Sequence, residues 1–142
     1  MSSLHVRRAF DVALAAWGEL PVVQIDDPET VKAPSIRDGM WVGIQYSPAV
    51  EGTKSFGNPG SNLYREQGVV FFHVVAPLST TIEEILTKAE SLRLYFRGTR
   101  FDGLKLFDVD PPHLEAGGGL PKLGNWFGAM VAADYTYDIL GA

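Results

Sequence analysis

Three residues in the last third of the chain, Asp108, Asp110 and His113, are of the types that hold divalent metal ions, and they fall within one short stretch. Pro111 and Pro112 lie between them, so the stretch reads as a turn at a strand end, where aspartates are favoured for their local hydrogen bonds. No metal site is expected there. His73 is the second candidate, a potential general base inside the apolar run from Val69 to Val75. A base needs an acid, a nucleophile or an oxyanion donor beside it, and the sequence places none nearby, so His73 reads as a core or interface histidine. Gly117 to Gly119 lacks the Lys-Ser or Lys-Thr pair of a phosphate-binding loop. Ser79 and Thr80 fit no nucleophile elbow and are better explained as capping residues. Lys88, Arg93, Arg97 and Arg100 cluster, but the acidic residues among them make a solvated helix face, not a nucleic-acid patch. The sequence therefore offers no active site, no metal and no cofactor, and catalysis is not expected.

The elements that hold these residues are clearer. From Arg65 to Phe101 the chain reads as one strand, one turn and one helix in succession. Val69 to Val75 is β-branched or aromatic almost throughout, as in a strand buried on both faces. Thr81 and Glu84 have capping-box spacing. Ile82, Ile85, Leu86, Ala89, Leu92 and Phe96 then form one apolar stripe, which Gly98 ends. An N-terminal helix from about Ser3 to Trp17, capped by Ser2 or Ser3, carries a second stripe of Val6, Ala9, Phe10, Ala13, Ala16 and Trp17. Gly39 to Tyr46 alternates as a half-buried strand, Arg100 to Val109 is a strand with a bulge near Gly103 or Lys105, and Trp126 to Ile139 is the last strand. Val22 to Ile25 is too short to assign. Ser47 to Asn62 and Asp110 to Gly124, rich in glycine and proline, are expected as long loops.

Composition sets the class. With 142 residues, 46% hydrophobic and 20% charged, the chain suffices for one domain with one sizeable core. It has no cysteine, which excludes disulfides and thiolate chemistry and fits a reducing cytoplasm. No apolar run approaches the ~20 residues of a membrane span. The opening residues, MSSLHVRRAF, lack the apolar core of a secretory signal, so this segment is expected to stay and fold. The net charge of -5 argues against generic binding to phosphates. Together these give a single α+β domain over residues 1–142: two helices packed on one face of a mainly antiparallel sheet of about four strands, with long loops.

The order of elements, the REQG-like lead into an apolar strand (Arg65 to Val75), the helix IEEILTKAESLRLYFRG (Ile82 to Gly98) and the final strand ending ADYTYDIL resemble the tail terminator and minor tail proteins of long-tailed bacteriophages and related tail-like particles. Ala89, Leu92, Phe96, Phe101 and Gly103 match the helix and the short segment after it that recur in that family. The resemblance implies a structural virion protein without catalytic residues, assembled in the host cytoplasm. Its copies would form a ring, hexameric in that family, at the head-proximal end of the tail tube. Its partners would be itself, the tail tube protein and the head-tail connector protein, with DNA passing through the ring without specific binding and no membrane involved.

Strand parity adds an expectation of its own. Met40, Val42, Ile44, Val70, Phe72, Val74, Phe127, Val131 and Tyr135 belong under the helices, which leaves Trp41, Val69, Phe71, His73, Val75, Trp126 and Met130 on the opposite face. Left in water these would form an apolar patch larger than monomers tolerate, so Trp41, Phe71, His73, Trp126 and Met130 are expected at a subunit interface. Two other readings are open: a head-tail adaptor or completion protein of the same particle, and a small-molecule binding domain with Trp41, His73 and Trp126 lining a pocket.

Overall fold

A computed structural model describes residues 4–20, 22–24, 40–53, 62–77, 81–101, 103–106, 108–116 and 126–141. In chain order these form helix α1 (Leu4–Trp17) and strands β1 (Val22–Gln24), β2 (Trp41–Tyr46), β3 (Val50–Thr53) and β4 (Asn62–Pro77). Helix α2 (Ile82–Phe96) follows, then β5 (Thr99–Phe101), β6 (Leu104–Leu106), β7 (His113–Ala116) and β8 (Trp126–Gly141). The strands make one open sheet in the order β1-β2-β4-β8-β6-β5, with β3 on the free half of β4 and β7 on that of β8. Among the described strands only β1 and β2 run parallel. The α+β class and the antiparallel character are those read from the sequence.

The strand count is higher than the four expected: Val22–Gln24, too short to assign from sequence, forms β1 beside β2, and two other differences add the rest. The segment from Arg100 to Val109 is not one bulged strand but the short hairpin β5–β6 followed by an isolated bridge at Val109. Gly103 turns that hairpin at φ 83°, a left-handed conformation that costs glycine little. Strands β3 and β7 lie inside the two stretches read as loops; they are too short and too polar to show a periodicity, and their long neighbours hold them in place. Residues 54–61 and 117–124 of those stretches, and the Ser2 or Ser3 cap, lie outside the described residues.

The two helices cover one face. Thr81 caps α2, its hydroxyl accepting the Glu84 N–H at 3.2 Å, and Gly98 follows the helix at φ 70°. Ile85, Ala89, Leu92 and Phe96 are fully buried, whereas Ile82, expected on the stripe, is 54% exposed at its flank. In α1 the buried side chains are Val6, Ala9, Phe10, Ala13, Leu14 and Trp17. Leu14 replaces the expected Ala16, which is exposed, because the sheet contact is centred on Phe10 and turns the helix toward its larger side chains. Phe10 sits at the middle of the core, with the rings of Tyr46, Phe72, Phe96, Phe101 and Tyr135 all within 6.1 Å of its own. Phe72 and Phe96 stack beside it at 5.0 Å. The expected parity holds for the described side chains: Val42, Ile44, Val70, Phe72, Val74, Val131 and Tyr135 are buried in this core, and Met40 packs against it; the side chain of Phe127 lies outside the described residues.

A polar clamp joins the helices. Trp17 Nε1 donates to Ser91 Oγ at 3.3 Å, and Ser91 Oγ donates to Glu19 at 2.5 Å. Lys88 Nζ completes the group 3.1 Å from the other carboxylate oxygen. The Ser91 hydroxyl, and then Lys88, hold the Glu19 carboxyl below its ordinary range. Phe10 fills the space where both helices meet the sheet, so Phe10→Ala should cost about 3 to 5 kcal/mol in urea unfolding. Val12→Ala, two residues on and 64% exposed, should change stability by no more than ~0.5 kcal/mol.

Candidate functional site

The face of the sheet away from the helices is where the sequence places its candidate residues, and register fixes what lies there. Strands β4 and β8 pair from Asn62–Gly141 to Pro77–Trp126 without a break. Residues opposite each other share a face. Across the outer face, Trp41 lies beside Val75, and Val75 beside Gly128. The next row is Gly43, His73, Met130 and His113. Gln45, Phe71 and Ala132 follow, then Val69 and Asp134. Farther along come Val50, Gln67, Thr136, Lys105 and Arg100, and finally Gly52, Arg65 and Asp138. The outer face is thus apolar at one end and ionic at the other.

The expected interface residues separate on burial. Trp41 is 2% and His73 4% exposed within the single chain, and Val75 is fully buried. These side chains do not stand in water as parity alone suggested, because the apolar end of the outer face is covered within the chain. Phe71, Val69 and Met130 are half-buried and remain open to a partner. The side chain of Trp126 lies outside the described residues. His73 Nε2 donates to Gln45 Oε1 at 3.0 Å, and the register places no carboxylate or nucleophile in its row to make a catalytic pair. Among the described residues no three His, Asp or Glu side chains approach metal-binding geometry, and Asp108, Asp110 and His113 do not converge on one point.

The ionic end is a second constellation. Arg65 donates to Asp138 through Nε at 2.6 Å and through a terminal nitrogen at 3.1 Å, and Lys105 Nζ lies 3.4 Å from the same carboxylate. The Arg65 hydrogen bonds, aided by its charge and by Lys105, hold the Asp138 carboxyl below its ordinary range. On the helical side of the same ribbon, Tyr135 donates to Glu66 at 2.7 Å in a buried bond. A side chain at Gly68 would sit 2.7 Å from that hydroxyl, so glycine is what lets the tyrosine ring lie across β4. Arg65, Glu66 and Gly68 come from the REQG stretch, and Tyr135 and Asp138 from ADYTYDIL. The two segments that carry the family resemblance are therefore each other's pairing partners.

Asp134 behaves in the opposite sense to Asp138. Burial first, and then the carboxylates of Asp110 and Asp108, push its carboxyl above its ordinary range. Sequence reading missed both groups, since Asp134 and Asp108 are brought together only by the bridge between Val109 and Ala133. No helix among the described residues is long and apolar enough to cross a membrane.

No known family model matches the chain, and no curated protein matches it in sequence. Among solved structures, one whose name states no function aligns over 96% of each chain with a TM-score of 0.54 at 19% identity. At that identity the likeness shows the fold alone.

Two measurements check this description. Gly68→Ala should destabilise by about 1 to 3 kcal/mol in denaturant unfolding, since it forces the Tyr135 ring off the strand; a neutral result would place the tyrosine elsewhere. The two aspartates give opposite pH dependences. Asp138, lowered in the folded state, contributes stability above its unfolded value that is lost as pH falls through its folded value. Asp134, raised in the folded state, costs stability that appears as pH rises through its unfolded value. Asp134→Asn should therefore raise the melting temperature at neutral pH, with the gain vanishing below about pH 3.9, whereas Asp138→Asn should lower it at neutral pH.

Proposed function

We propose that the protein is a structural component of a long-tailed bacteriophage or related tail-like particle, a tail terminator. Its copies form a ring, hexameric by the resemblance, at the head-proximal end of the tail tube. The ring stops tube polymerisation and presents a surface to the head-tail connector. One observation carries the reading: Val69, Phe71 and Met130 lie half-buried on the outer face of an open sheet whose helical face is already filled. A ring neighbour is the simplest cover for such a face. The pairing of the REQG and ADYTYDIL segments supports the resemblance, because it gives both a common structural role in the same ribbon. An acidic chain suits a channel through which DNA passes without being held. The site of action is then the virion tail, after assembly in the host cytoplasm.

Phe71 is the aromatic at the centre of the half-buried row, so Phe71→Asp should leave the circular dichroism spectrum intact and abolish ring formation in sedimentation velocity. A carboxylate buried without a partner costs several kcal/mol at every repeat of the contact, on the order of 2 to 7 for a polar group without a hydrogen bond. A folded variant that still formed full rings would remove the outer face from the assembly.

A further inference from the structure

The side of α2 turned away from the sheet is apolar where a surface helix is ordinarily polar. Ile82 and Leu94 are 54% and 51% exposed, and Leu86 lies half-buried between them. Together with Thr87, Glu90 and Pro112 they line a shallow hollow along the helix.

Charge is ordered along the same side. Glu83, Glu90 and Arg97 follow one another at heptad spacing, so they fall close to one line of the helix. Glu83 stands in the first turn and Arg97 at the C-cap. Both are exposed, and neither forms an ion pair among the described residues. Glu90, midway between them, is neutralised by Arg93, whose Nη1 lies 2.8 Å away. Leu86 and Leu94 flank Glu90 one turn to either side. From its N-terminus to its C-terminus the face therefore reads acid, leucine, neutral pair, leucine, base. The other charged groups of α2 keep that order: Glu84 adds to the acidic first turn, and Lys88 is held by Glu19.

We propose that this face is a twofold contact between two copies of the chain, their α2 helices packed antiparallel about Glu90. Turned end for end, the face meets its own complement. Glu83 of each copy faces Arg97 of the other, Leu86 meets Leu94, and the two Glu90–Arg93 pairs lie side by side at the axis. The helix macrodipoles are opposed as well. This match selects a second copy as the occupant: a basic helix of another protein would suit Glu83 but be repelled by Arg97, whereas α2 reversed fits at every position. A patch that meets itself closes as a dimer and does not by itself build a ring. The contact is independent of the ring reading, because it uses the far side of the helical layer and leaves the outer sheet face free. A single helix of 15 residues, about 22 Å long, makes a small interface, so the dimer is weak and reversible.

The chain has no cysteine, so a single introduced one reports alone. Thr87→Cys, exposed and one turn from the axis, should be joined to its counterpart in a second copy by a short bismaleimide, giving a covalent dimer and nothing larger on a denaturing gel. Val50→Cys, 71% exposed on β3, should not be joined. In the Thr87→Cys chain, Glu83→Arg or Arg97→Glu should raise the protein concentration needed for half-maximal crosslinking roughly 10-fold at low salt, because like charges then meet at both ends. Both changes in one chain should restore it, since the exchanged charges meet again. Leu94→Lys should abolish it. Circular dichroism checks the fold of each variant, and if Leu94→Lys unfolds, Leu94→Ala takes its place and should weaken crosslinking. Equal crosslinking at Thr87→Cys and Val50→Cys, single reversals without effect, or a double reversal no better than the singles overturn the contact. Rings in a protein whose Thr87→Cys variant is not joined overturn the contact and leave the ring reading standing. Covalent dimers without rings support the contact and count against the ring.

Discussion

The unbroken pairing of β4 with β8 is the interaction on which the rest depends. Each strand has 16 residues, about three times the usual length, and spans roughly 50 Å. Every other strand except β1 and β5 attaches directly to one of these two. The register decides which side chains reach the helices, and a slip by one residue would send Phe72, Val131 and Tyr135 to the outer face. Two devices on the same ribbon resist that slip. Tyr135 lies over Gly68 and bonds to Glu66 on one side, and Arg65 grips Asp138 on the other. Phe10 then fixes α1 over the ribbon, and Phe96 fixes α2 beside it.

What the sequence made legible was what local pattern determines. The Thr81 cap, the Gly98 stop and the stripe of Ile85, Ala89, Leu92 and Phe96 follow from spacing alone, and so does the parity of β2, β4 and β8. The lead into β4 at Arg65, Glu66 and Gln67 was legible as strand, but its polar residues gain a role only when Asp138, Tyr137 and Thr136 are set opposite them. Strands β3 and β7 are invisible for the same reason: their order comes from neighbours distant in sequence. The burial of Trp41 and His73 also escaped parity, which assigns a face but not what covers it. The Asp108–Asp134 pair joins residues that no local window connects.

The most specific contacts among the described residues, Arg65 with Asp138, Tyr135 with Glu66 and Trp17 with Ser91, hold elements of the fold together. The proposed function therefore rests on shape and unsatisfied surface. The helical face is full, and the half-buried residues of the outer face lie between a covered aromatic end and a neutralised ionic end. Such a face suits a copy of the same chain, because a closed ring repeats one contact and needs both of its surfaces on every subunit.

Electron microscopy of the purified wild-type protein, with native mass spectrometry on the same sample, tests the central claim most directly. The account predicts closed rings of uniform subunit number around an open channel. A monodisperse monomer at all concentrations, with no rings even when tail tubes are present, would contradict it.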